Sequence, residues 1–220
     1  MAKFRRRRIL ILALGIILVP LTIWATTITK PYTFTSGTPA VASQVNDNFD
    51  VLYSKINELI GKQSPFRQIQ SITKTDVFNT MSSAFTDVTG LSVTITPKGT
   101  NSKFLVLVNL NCGMSNGSAG HYRIVRDSVS VADGLAAGAN RKIGTGGNCF
   151  SSDINHAQSM GMNFLDAPAG GGPFTYKIQV STADGSGVLR VNTSGSDADA
   201  TYTMRYVSTL TVIEIDGTEA

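Results

Sequence analysis

Apolar residues recur with two different periods along the chain, and the change of period divides it. Between Gly37 and Gly61, the residues Ala42, Val45, Phe49, Leu52, Ile56 and Leu59 follow one another at alternating spacings of three and four. That spacing lays them on one stripe of a helix and makes the seam of a coiled coil. Thr38 and Pro39 predict the helix start, with a capping hydroxyl and a first-turn proline whose missing N–H costs nothing. Gly61 suits a left-handed helix end. A short helix with one apolar stripe is marginal alone. It is expected to pack either on its own β domain or, as the favoured alternative, into a parallel bundle with other copies.

From Phe66 onward the period becomes two. Leu91, Val93 and Ile95 alternate with Ser92, Thr94 and Thr96, and Phe174, Tyr176, Ile178 and Val180 alternate with Thr175, Lys177, Gln179 and Ser181. Such runs predict strands with one core face and one wet face. Phe104, Val106, Val108 and Leu110 alternate with Leu105, Leu107 and Asn109, which predicts a strand buried on much of both faces. Tyr202, Met204, Tyr206, Leu210 and Val212 share one parity near the end. Turn signals such as Thr89-Gly90, Asn116-Gly117 and Asp184-Gly185 separate the runs. Eight to ten strands without a helix between them suit a two-sheet sandwich or jelly roll.

The first residues belong to neither pattern. Lys3 and Arg5 to Arg8 precede an apolar stretch, Ile9 to Ala25, of seventeen residues. A cationic block before a short apolar segment predicts export, by a cleaved signal peptide or by a retained anchor contacting the membrane through residues 9–25. The expected plan is therefore a signal peptide or anchor at 1–25, a linker at 26–38, a coiled-coil stalk at 39–61 and a β-sandwich head at 66–220.

Composition and charge change this picture only locally. The net charge of +4 comes from the N-terminus: beyond Thr26, fourteen Lys and Arg face fifteen Asp and Glu. No nucleic-acid surface is expected from that balance. Cys112 and Cys149 both lie in the part that would be exported, so either one disulfide or two buried thiols is expected.

Several segments resemble known proteins. Phe34-Thr35-Ser36-Gly37-Thr38-Pro39-Ala40 with the following Ala42-Ser43-Gln44-Val45-Asn46-Asp47-Asn48-Phe49-Asp50-Val51-Leu52 resembles the start of a stalk in phage tail-fibre and bacterial surface proteins. Phe85 to Pro97, Asn163 to Pro168 and Thr175 to Val180 resemble the fibre-tip domains of that group. The resemblance spans about 34–60 and 83–215. It implies a jelly roll similar to the complement globular head and tumour necrosis factor, hence a homotrimer. The export segment departs from a phage fibre and implies a secreted or surface-displayed product.

Candidate chemistry is sparse. The histidines, His121 and His156, carry no nucleophile signature. The Gly-rich stretches 144–147 and 170–172 lack a phosphate-loop ending and are expected to be mobile loops. Asp197 and Asp199 are a candidate calcium pair; no other cofactor is expected. Loops carry binding more often than strands do. The 132–158 loop offers Arg141, Lys142, Asn148, Phe150, Asp153, Asn155 and His156 for a glycan or protein ligand. The expected function is a non-enzymatic, exported, trimeric structural or binding protein, with a secreted β-sandwich hydrolase or a purely structural appendage subunit as alternatives.

Overall fold

The computed structural model describes residues 28–61, 65–135, 138–150 and 153–217. The expected export segment lies outside them. No helix among the described residues is long and apolar enough to cross a membrane. The chain divides into two compact units, 1–63 and 64–220.

In the first unit, α1 spans Ala42–Gly61 and holds the whole apolar stripe. It begins later than Pro39 because Thr38 is used otherwise. Both its N–H and its hydroxyl donate to the Thr35 carbonyl, closing a turn before the helix. The segment expected as a plain linker is tied to the helix through Asn48. That side chain accepts from the Tyr32 N–H and donates to the Tyr32 carbonyl, each at 3.0 Å, as a neighbouring strand would. Phe34 then forms a groove with Val45, Phe49 and Leu52. The stripe beyond stays open: Phe49 is 53% exposed and Leu59 65%.

The second unit is mainly β, with antiparallel sheets stacked as a sandwich. Its strands are β1 (Phe66–Lys74), β2 (Phe78–Thr80), β3 (Thr86–Ile95), β4 (Lys103–Met114), β5 (Gly120–Arg126), β6 (Val129–Val131), β7 (Gln158–Asp166), β8 (Phe174–Thr182), β9 (Leu189–Val191) and β10 (Ser208–Ile215). One sheet runs β1-β10-β4-β9-β2 with β7 also on β4; the other runs β3-β8-β5-β6. The predicted alternation fixes the inner faces. Leu91, Phe104, Val106, Leu110, Tyr176, Ile178, Val180, Leu210 and Val212 are all buried in one core. Phe104 meets Phe174 edge-on at 5.6 Å between centroids.

Two local signals resolve differently from their sequence expectation. Thr89-Gly90 is no turn: β3 continues through it, and Gly90, with φ of 81°, sits in an irregularity of the β3–β8 register between Asp87 and Ser92. A glycine accepts that left-handed conformation without strain, so the break becomes a bulge. Tyr202 and Met204 leave the alternation and are exposed, because β10 starts only at Ser208.

Buried polar groups are satisfied in clusters. β4 pairs with β10 along Lys103–Asn109 and with β9 along Cys112–Met114. At the fork, the Asn111 N–H donates to Ser208 Oγ, which donates to Asn192 Oδ1; Asn192 Nδ2 then donates to the Lys74 and Asp76 carbonyls. At the other end, fully buried Glu214 accepts from Gln68, from the Lys98 N–H and from Ser102. Burial alone would raise its pKa, but the bonds from Ser102, Gln68 and the backbone outweigh burial and hold it below the ordinary carboxyl value. A depressed folded pKa contributes stability that is full above the unfolded value, about 4.3, and is lost as pH falls through the folded one. Melting curves should therefore fall in acid more steeply for the native chain than for Glu214→Gln. Parallel curves would contradict this role.

Candidate functional site

The 132–158 segment is held by three features, of which the sequence made only the disulfide visible. Thr145 is buried; its N–H donates to the Tyr122 carbonyl, and its hydroxyl donates to the Val131 carbonyl and accepts from the Ile124 N–H. Gly146 packs on the Tyr122 ring so closely that a Cβ would lie 2.0 Å from its hydroxyl oxygen. Cys149 forms a disulfide with Cys112, with Cα atoms 5.7 Å apart, and exchanges backbone bonds with Gly120. The glycine-rich stretch 144–147 is thus fastened along β5, where a mobile loop was expected.

This fastening splits the predicted ligand set. Arg141, Lys142 and Asn148 come together with His121, Asn140 and Ala183 around a cavity of about 410 Å³. The Lys142 ammonium donates to the Ser83 carbonyl, to the Thr182 carbonyl at 2.6 Å and to Ser181 Oγ at 3.4 Å. Burial lowers its pKa, and Asp184 pulls the other way. His121 has its pKa lowered by burial and by Lys142, and its buried Nδ1 has no hydrogen-bond partner. Asp153, Asn155 and His156 stand elsewhere. His156 Nδ1 lies 3.0 Å from Asp153 Oδ2, and Asn155 accepts from Ser196. Phe150 is bound through its N–H to Gln158 and is not part of the cavity. The seven loop residues therefore do not form one site.

Of the candidate calcium pair, Asp197 accepts from Thr193 Oγ1 and faces Arg205 Nη1, both at 2.7 Å. Among the described residues no group of three or more His, Cys, Asp or Glu is placed to hold a metal ion.

The two sheets differ sharply on their outer faces. On the second, Lys177 and Gln179 donate to Asp87, while Arg123 donates to Gln179 and covers the Phe85 ring. On the first, Ile69, Ile213, Leu105 and Leu165 are directly paired in one row across β1, β10, β4 and β7. Ser71, Thr211, Leu107 and Asn163 form the next row. Ile69 is 60% exposed and Leu165 51%. Neither row contains an ionisable side chain.

The fold and surfaces thus define a disulfide-linked β-sandwich unit and a separate helical unit with an open apolar stripe. No known family model matches the chain, and no curated protein matches it.

Proposed function

We propose that the chain is an exported, homotrimeric, non-enzymatic structural and binding protein, built as a membrane-targeting segment, a coiled-coil stalk and a jelly-roll head displayed in the manner of a fibre tip. The observation that carries this reading is the outer face of the first sheet. A row of four aliphatic side chains suits contact with a copy of itself, since two such faces bury apolar area on meeting, with Lys103 at the border of the row. The open stripe of α1 needs the same kind of partner. The strand orders of the two sheets support the jelly roll, and the resemblance to fibre-tip proteins favours three copies over two.

Ile69→Lys combined with Leu165→Lys tests this assembly. Both positions are more than half exposed, so the fold of a single chain should lose no more than about 0.5 kcal/mol at each. Sedimentation should show the double variant dissociated at concentrations where the native chain is assembled. Unchanged sedimentation would remove the sheet face from the interface.

A further inference from the structure

We propose that the cavity around His121, Arg141 and Lys142 binds the carboxylate-bearing ring of an acidic saccharide. This rests on the reading of the head as a binding module and names the ligand class that reading leaves open. The cavity wall holds three basic side chains and no carboxylate. Lys142 is fixed in place by neutral oxygens, from Ser83, Ser181 and Thr182, so its charge is positioned without a salt-bridged counterion. Asp184 is near enough to influence it, but it makes no ion pair with Lys142; its Oδ1 accepts from the Ser186 N–H and hydroxyl and from Ser118. A half-buried ammonium held in this way attracts an anion.

Arg141 supplies the directional contact. It is exposed, and among the described residues it joins no ion pair and donates no hydrogen bond. Its planar fork matches a carboxylate through two parallel bonds. Asn140 and Asn148 complete the wall with side-chain amides that likewise have no partner among the described residues. An amide can donate and accept at once, which is what sugar hydroxyls require. His121 lines the same wall.

Size and wall chemistry narrow the choice further. At about 410 Å³ the cavity is at the lower end of small-ligand sites and suits a single ring. The wall has no Phe, Tyr or Trp ring as a stacking platform for a nucleobase, which favours a saccharide over a nucleotide. The loop is also held in part: Thr145 and the Cys112–Cys149 bridge fix the backbone on either side of Asn148, and Lys142, next to Arg141, is anchored on the Ser83 and Thr182 carbonyls, which reduces the ordering required on binding.

The test is saturation-transfer NMR on the full chain, with glucuronic acid and N-acetylneuraminic acid as probes, glucose as the neutral sugar and sodium sulfate as the inorganic anion. Both acids or one of them should bind and glucose should not. Arg141→Ala should weaken binding about tenfold, the effect of losing one charge-assisted pair, and Arg141→Lys should restore only part of it. Asn148→Ala should weaken sugar binding and leave any sulfate binding unchanged. Arg141 and Asn148 are exposed, so both variants should keep the native melting temperature. The proposal is overturned if neither acid binds, if glucose binds equally, if Arg141→Ala binds like the native chain, or if sulfate binds as well as the sugars, the result for an adventitious ion only. Sedimentation of the same sample separates the two readings. An assembled chain that ignores acidic sugars defeats the cavity alone, and a monomer that binds them defeats the assembly alone.

Discussion

Ile178→Asp should leave the head unfolded or close to it. Ile178 is fully buried at the centre of β8, directly paired with Ile124 of β5 and packed in the same core as Leu91 and Phe104. Truncating a buried aliphatic side chain of this size costs about 2–5 kcal/mol. The new carboxyl adds the cost of an unpartnered polar group, about 1–3 kcal/mol even when it becomes neutral. Together these approach the whole stability of an ordinary domain, about 5–15 kcal/mol. Lys177→Ala provides the contrast. Lys177 is on the wet face with one ion pair, to Asp87, and its loss should cost less than about 1 kcal/mol. Denaturant titration of both variants measures the difference, and equal losses would mean that the strand register is wrong.

The second large effect is expected at the disulfide. Cys112 and Cys149 are 37 residues apart and both fully buried. Loop-closure entropy for a ring of that size predicts a loss of about 4 kcal/mol when both become Ser. The bridge ties the C-terminal end of β4 to the segment that carries Arg141, Lys142 and Asn148. Amide exchange across 140–150 should therefore quicken more than exchange in β8. A double variant with native melting temperature and native exchange in that segment would contradict the role.

The strands were legible wherever one face is core and the other wet, since strict alternation then follows from burial. The β3, β4 and β8 parities are those of the sequence. Alternation misled where one parity continued past its strand: Tyr202 and Met204 match the pattern of β10 but lie in the exposed loop before it. The glycine signal at Thr89-Gly90 marked a special backbone conformation correctly, yet a bulge and a turn ask for the same positive φ, and sequence does not separate them. Likewise, Thr38 has the chemistry of a helix cap but is consumed by its own turn with Thr35.

The cavity was half legible. Three of the seven loop residues reach it, and nothing local distinguishes them from Asp153, Asn155 and His156. What sorts them is the attachment of Thr145 and Cys149 to β5, which depends on partners distant in sequence. His121, at the start of a strand, was seen only as a residue without catalytic context, because its neighbours Lys142 and Ala183 come from other elements. The apolar outer row of the first sheet was hinted at by Leu105 and Leu107. Its extension to Ile69, Ile213 and Leu165 required the register.

Self-association is the claim on which the rest of the proposed function turns, and the molar mass of the native chain in solution tests it most directly. Sedimentation equilibrium on residues 26–220 should give three times the mass of one chain, with dissociation on dilution to the monomer. A single-chain mass that persists as concentration rises would contradict it, and would leave both the open stripe of α1 and the apolar sheet face without the partner assigned to them.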